Sequence, residues 1–174
     1  VIYVNSDFKF QTLIGFGGAI TESAGYSLST VSEENYNKIL DEYFLSDNLN
    51  YSLCRLPIGS SDFSLESYSY SNQKDLSDFS IKRDMKYIVP TIKSAQKRNK
   101  NIKFLSSPWS PPAFMKDNNN LYNGGKLLNQ YKKTWTEYLI RYIKAYNKEN
   151  INIDYMTIQN EPNASQSWES CRYT

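Results

Sequence analysis

Between residues 30 and 160, short apolar runs rich in β-branched and aromatic residues alternate with longer stretches whose apolar residues recur at helical spacing. The strand-like runs are Tyr51–Ile58, Ile102–Ser107 and Tyr155–Ile158. A capping box at Thr30-Val31-Ser32-Glu33 opens a helix carrying Tyr36, Ile39, Leu40, Tyr43 and Phe44 on one side. A second helix, over 81–98, places Met85, Ile88, Ile92 and Ala95 on its inner face, with Pro90 predicting a kink. A third buries Tyr131, Trp135, Tyr138, Leu139, Tyr142, Ile143 and Tyr146. Ahead of these, Val1–Val4, Phe8, Phe10 and Leu13-Ile14 read as short strands ending at Gly15-Phe16-Gly17-Gly18. The order βαβαβαβ, with crossovers of helical length, is that of a parallel sheet covered by helices, each crossover right-handed. At 174 residues the chain accommodates one domain with a core of its own.

Ligands bind such sheets at the C-terminal ends of the strands, so the residues there are the candidates for chemistry. Pro162 stops the ladder of the last run immediately after Asn160 and Glu161, which places an amide and a carboxylate on that rim. The other strand ends carry Gly17-Gly18 with Thr21-Glu22, Ser61-Asp62, and Trp109 among prolines 108, 111 and 112. Each has a plainer reading. Glu161 caps the next turn, Asp62 bonds its own backbone, Trp109 packs the rim, Arg55 within its strand forms a structural ion pair, and Glu22 caps or supports a helix. The glycine run serves a sharp turn or a close backbone approach; as a dinucleotide fingerprint it fails, because Ile20 stands where the third glycine belongs. The Ser- and Tyr-rich loop 64–78 is long for a structureless connection.

Composition removes several function classes. A net charge of +2 without a Lys/Arg block gives no footprint for nucleic acid, and Lys97-Arg98-Asn99-Lys100 reads as a solvated helix end. The chain has no His, and Cys54 and Cys171 read as isolated buried thiols, which leaves no zinc site and no Ser-His-Asp or Cys-His arrangement. Fifteen Tyr, eight Phe and three Trp suit stacking on sugar rings and ordinary packing equally. No apolar run approaches the roughly 20 residues that cross a bilayer, and no leader follows from Val1, so a soluble protein is expected, with secreted and lysosome-like locations both compatible. Asn50-Tyr-Ser52 and Asn163-Ala-Ser165 match the glycosylation pattern; a glycan on Asn163 would crowd Glu161, so that match reads as accidental.

Four runs, in order, resemble glycoside hydrolase family 30, the group that contains the glucosylceramidases: Gln11–Thr21, Arg55-Leu56-Pro57 with Ser61–Ser64, Ser107–Pro111, and Gln159–Pro162. The resemblance implies a TIM (β/α)8 barrel with an accessory β domain, in which residues 1–13 contribute strand to the β domain and 14–174 form the N-terminal half of the barrel. It implies a retaining β-glycosidase with Glu161 as general acid/base and Asn160 bonding the sugar and positioning the nucleophile. Asp62 and Trp109 then hold the sugar, and Arg55 supports the carboxylates. Retaining hydrolysis needs two carboxyl groups about 5 Å apart, and the acid must hold a proton near neutral pH, which burial or a neighbouring carboxylate provides. The resemblance places the nucleophile, a Glu, on a later strand beyond Thr174; Glu169 follows Glu161 too closely to take that role. The 174 residues alone are therefore expected to be inactive and to self-associate through open sheet edges. The expected substrate is a β-glucoside such as glucosylceramide, with no cofactor. A β-1,6-glucanase or β-xylosidase, or a non-catalytic carbohydrate-binding fragment, remain as alternatives.

Overall fold

The computed structural model describes residues 1–173. Four α-helices and three strands follow in the order α1 (Glu22–Ser29), α2 (Glu33–Phe44), β1 (Leu53–Ile58), α3 (Asp84–Arg98), β2 (Lys103–Pro108), α4 (Lys132–Lys148) and β3 (Tyr155–Met156). The strands form one parallel sheet in the order β1-β2-β3, with Leu53 paired to Lys103 through Ile58 to Pro108, and Leu105 to Tyr155.

Residues 1–13 are exposed and form no strand, so the strands expected there pair with nothing among the described residues. The first sheet partner lies further along, at Phe16–Ile20. Leu53 N donates to Phe16 O (3.1 Å), Arg55 N to Gly18 O (3.0 Å) and Ile20 N to Arg55 O (2.9 Å), in parallel with β1. The glycines thus lie within this extended segment, and close approach is what they serve. A Cβ on Gly17 would fall 1.9 Å from Leu53 O and 2.8 Å from Leu53 C. Gly17→Ala must push the segment off β1, and we expect a loss of about 2–4 kcal/mol in urea unfolding; a change under half a kcal/mol would show that the pairing is dispensable.

Thr21 caps α1 by accepting from Ala24 N (3.2 Å). The helix is absent from the sequence reading because Glu22–Ser29 has no apolar stripe; the Thr21 cap was its visible signal. The cap of α2 is Ser32, accepting from Asn35 N, while Thr30 closes α1, so the expected box is offset by two residues. Helix α3 runs through Pro90, which sits on its exposed side; Ile88, Ile92 and Ala95 are buried as expected, and Met85 is exposed. Tyr155 and Met156 are 37% and 42% exposed rather than buried, because no described residue covers the outer edge of β3.

Alternation along β1 and β2 sends Cys54, Leu56, Ile58 and Phe104 into the core with Ile88, Ile92, Tyr138, Tyr142 and Tyr146 from α3 and α4. This core carries a polar centre. The fully buried Asp84 accepts from the hydroxyls of Tyr68 (2.7 Å), Tyr70 (2.6 Å) and Tyr146 (2.7 Å), and Ser106 Oγ meets Tyr142 Oη at 2.9 Å. The bonds to Tyr68 and Tyr70 anchor the 64–78 loop, which explains how a long loop holds one conformation.

Candidate active site

The opposite face of the sheet is polar at one level. Arg55 projects from β1, Ser107 from β2 and Thr157 from just beyond β3. Arg55 Nε donates to Ser107 Oγ (3.2 Å), and Thr157 Oγ1 donates to the same oxygen (2.8 Å). One layer higher, Arg55 Nη2 donates to Asn160 Oδ1 (2.7 Å), and the guanidinium carbon stands 4.5 Å from the Trp109 ring centroid. Burial holds the guanidinium below its ordinary range, and the carboxylates of Asp62 and Glu161 act against that shift. Arg55 therefore contacts two of the expected site residues, Asn160 by hydrogen bond and Trp109 by its π-face, while the carboxylates of Asp62 and Glu161 act on it only through the field.

Asp62 is exposed in the turn after β1. Ser61 and Ser64 hold that turn, with Ser64 Oγ accepting from Ser61 N (3.0 Å) and Ser61 Oγ from Phe63 N (3.2 Å). The carboxylate is thus not used by its own turn. Gly59 makes the exit from β1 possible with φ +77°. Trp109 is only 8% exposed, with Arg55 over one face, so its ring is part wall and only partly an open plate.

Glu161 is exposed and takes the left-handed conformation, φ +47°. For a side chain with a Cβ this costs on the order of 1 kcal/mol and persists only where neighbouring contacts over-determine it. Asn160 N donates to Pro108 O (2.8 Å), which fixes the turn's start, and Tyr173 N donates to Pro162 O (2.8 Å) beyond it. Neither Asp62 nor Glu161 is in an ion pair among the described residues.

Ser107, Thr157 and Gln159 carry parts of the site that the sequence reading did not assign. Gln159 Nε2 donates to Trp109 O (2.7 Å) and Asn160 O (2.9 Å), tying two strand ends together, and its buried Oε1 has no partner among the described residues. The signal for Ser107 was the parallel register: two residues past the partner of Arg55, it faces the same side. Glu22 lies outside the site. It accepts from Arg83 Nε (2.8 Å) and Leu65 N (2.8 Å), bracing α1 against the loop after β1. No group of three or more Cys, Asp or Glu among the described residues is placed to hold a metal ion. An apolar cavity of about 330 Å³ between Phe16–Ile20, α1 and α2 is lined by Ile20, Leu28, Leu40 and Phe44, and by none of the site residues.

A parallel sheet backed by helices, with a carboxylate, an aromatic and an amide at successive strand ends, has the architecture of a partial (β/α)8 barrel and its rim. Residues 13–171 match the glycosyl hydrolase family 30 TIM-barrel domain, and the chain belongs to that family. Lysosomal acid glucosylceramidase of Mus musculus is 33% identical over 165 residues, covering 90% of this chain and 32% of that protein. The crystal structure of SrfJ from Salmonella typhimurium superposes with a TM-score of 0.92 at 40% identity, covering 94% of this chain and 38% of that one. An endo-β1,6-glucanase structure superposes with a TM-score of 0.89 at 31% identity, covering 97% and 39%. The chain spans about a third of the length of the curated relatives it matches.

Proposed function

We propose that the full-length protein containing these residues is a retaining β-glycosidase acting on a β-glucoside such as glucosylceramide. Glu161 is the general acid/base, Asn160 bonds the sugar, Asp62 and Trp109 hold it, and Arg55 keeps the three strand ends in register. The observation that carries this reading is that Arg55 joins Asn160 and Trp109 on the strand-end rim that also bears Asp62 and Glu161, in a chain of this family. A retaining mechanism needs a second carboxylate about 5 Å from the acid. The resemblance to the family places the nucleophile, a Glu, on a later strand outside this chain, which leaves Asp62 for hydroxyl recognition and Glu169, bound by two serines, outside the chemistry. In the first step Glu161 gives its proton to the glycosidic oxygen as the nucleophile attacks. In the second it takes a proton from water, which releases the sugar with its configuration retained.

The similarity to an endo-β1,6-glucanase structure favours a second reading, a β-1,6-glucanase on the same rim. Rates on aryl β-glucosides, aryl β-xylosides, β-1,6-linked gluco-oligosaccharides and glucosylceramide in the full-length protein discriminate these; hydrolysis of none of them would remove the glycosidase reading. The 174-residue chain alone is expected to hydrolyse no aryl β-glucoside. Turnover by that chain, abolished by Glu161→Gln, would place a nucleophile among residues 1–174.

A further inference from the structure

Glu169 has no part in the mechanism above, yet it is a carboxylate only 3% exposed and in no ion pair among the described residues. Its Oε1 accepts from Ser60 Oγ (2.6 Å) and Ser67 Oγ (2.5 Å), both in the loop after β1. Tyr122, in the loop after β2, donates its hydroxyl to Ser67 Oγ (2.5 Å) and pairs with Glu169 through an antiparallel bridge. The next residue continues the contact. Ser170 N donates to Leu121 O (3.0 Å), Ser170 O accepts from Lys116 Nζ (2.7 Å), and Ser170 Oγ accepts from Gly124 N (2.9 Å). Three rim loops, one from each strand, therefore meet at this residue: the loop after β1 at its carboxylate, and the loop after β2 at its backbone and through Ser67.

Burying a carboxylate is costly, and hydroxyl donors offset that cost only while both loops stay in place. Ser60 lies two residues before Asp62, and Glu169 closes the segment that begins with the left-handed turn at Glu161. That strained turn is anchored at its start by the Asn160 N to Pro108 O bond. Its far side is closed by Ala164 N donating to Glu161 O (2.9 Å) and Tyr173 N donating to Pro162 O (2.8 Å), and the chain between those two bonds is held to the other rim loops through Glu169 and Ser170.

We propose that Glu169 is a positioning residue: by gathering Ser60, Ser67 and Tyr122 it holds the Glu161 turn where the acid reaches the leaving-group oxygen. The assignment rests on Glu161 as the acid/base. It predicts a selective defect in kcat/KM, because in the first step a misplaced acid slows only those substrates whose leaving group must be protonated.

The test compares kcat/KM in the full-length protein for an alkyl β-glucoside and for the 2,4-dinitrophenyl β-glucoside, whose phenolate leaves without a proton. Glu169→Leu is expected to lower the first tenfold or more and to leave the second within threefold. Glu169→Gln retains an oxygen that accepts both serine hydroxyls, and should stay within threefold of wild type on both. Ser67→Ala, a smaller lesion that keeps the fold if Glu169→Leu does not, should show the same selective loss at about threefold. An equal fall on both substrates, or no fall on either, overturns the positioning role while leaving the glycosidase reading intact. A wild-type protein that hydrolyses neither substrate overturns the glycosidase reading, and the positioning role with it.

Discussion

Glu161→Ala in the full-length protein is expected to lower kcat/KM for alkyl β-glucosides by about 10²–10⁴-fold, the usual contribution of a positioned general acid. The dinitrophenyl glucoside should lose far less in its first step, since its leaving group needs no proton. Its second step lacks a base to activate water, so the glycosyl-enzyme accumulates and kcat falls. Azide, a nucleophile that needs no base, then restores turnover and yields the β-glycosyl azide. Removing the side chain leaves space for it, and the exposed position of Glu161 gives it access. Failure of azide to accelerate the variant, or formation of the α-azide, would remove the acid/base assignment. Arg55 gives a contrast, since it acts through Asn160 and Trp109 rather than on the bond being broken, and its loss should not be repaired by azide.

What the sequence made legible followed from periodicity. The three parallel strands, helices α2 to α4 and the tyrosine stripe of α4 are repetitive patterns, and they lie where spacing put them, within about three residues. What escaped was set by contacts distant in sequence. The glycines of Gly15–Gly18 fit a sharp turn or a close approach equally well in sequence; that the close approach is the one used, with Leu53 O against Gly17, required the fold. The β3 run looks buried because its residues are apolar, but burial is decided by neighbours, and one side of that strand has none among the described residues. Asp62, Trp109, Asn160 and Glu161 could be placed on one rim from strand ends alone. That Arg55 reaches Asn160 across 105 positions, and that Glu169 gathers serines more than 100 positions upstream, required the fold. The same is true of Asp84. It is one acidic residue in the first turn of a helix, an unremarked and favourable place, until Tyr68, Tyr70 and Tyr146 are brought around it.

Asp84→Ala is expected to lower the unfolding free energy by about 3–5 kcal/mol. It leaves three tyrosine hydroxyls without their acceptor in a closed core, at about 1–3 kcal/mol each before relaxation. It also detaches the 64–78 loop from α3, since Tyr68 and Tyr70 hold the loop through this carboxylate. The charge state of Asp84 gives a sharper test. Burial pushes its carboxyl up to about 6, the three hydroxyls oppose that shift, and the nearby Glu22 adds to it. The folded value lies above the unfolded value of about 3.9. The stabilising contribution is therefore complete below about pH 4 and is lost as pH rises through about 6, a span worth about 3 kcal/mol. Asp84→Asn keeps the shape and cannot titrate. Relative to that variant, the wild type should gain about 2 kcal/mol between pH 7 and pH 4 in urea unfolding, and the remainder below pH 4, with the contributions of all other carboxylates cancelling in the comparison. Parallel stability curves for the two proteins across this range would mean that Asp84 is as easily ionised inside the tyrosine cluster as in water, and that hydroxyl donors fully offset its burial.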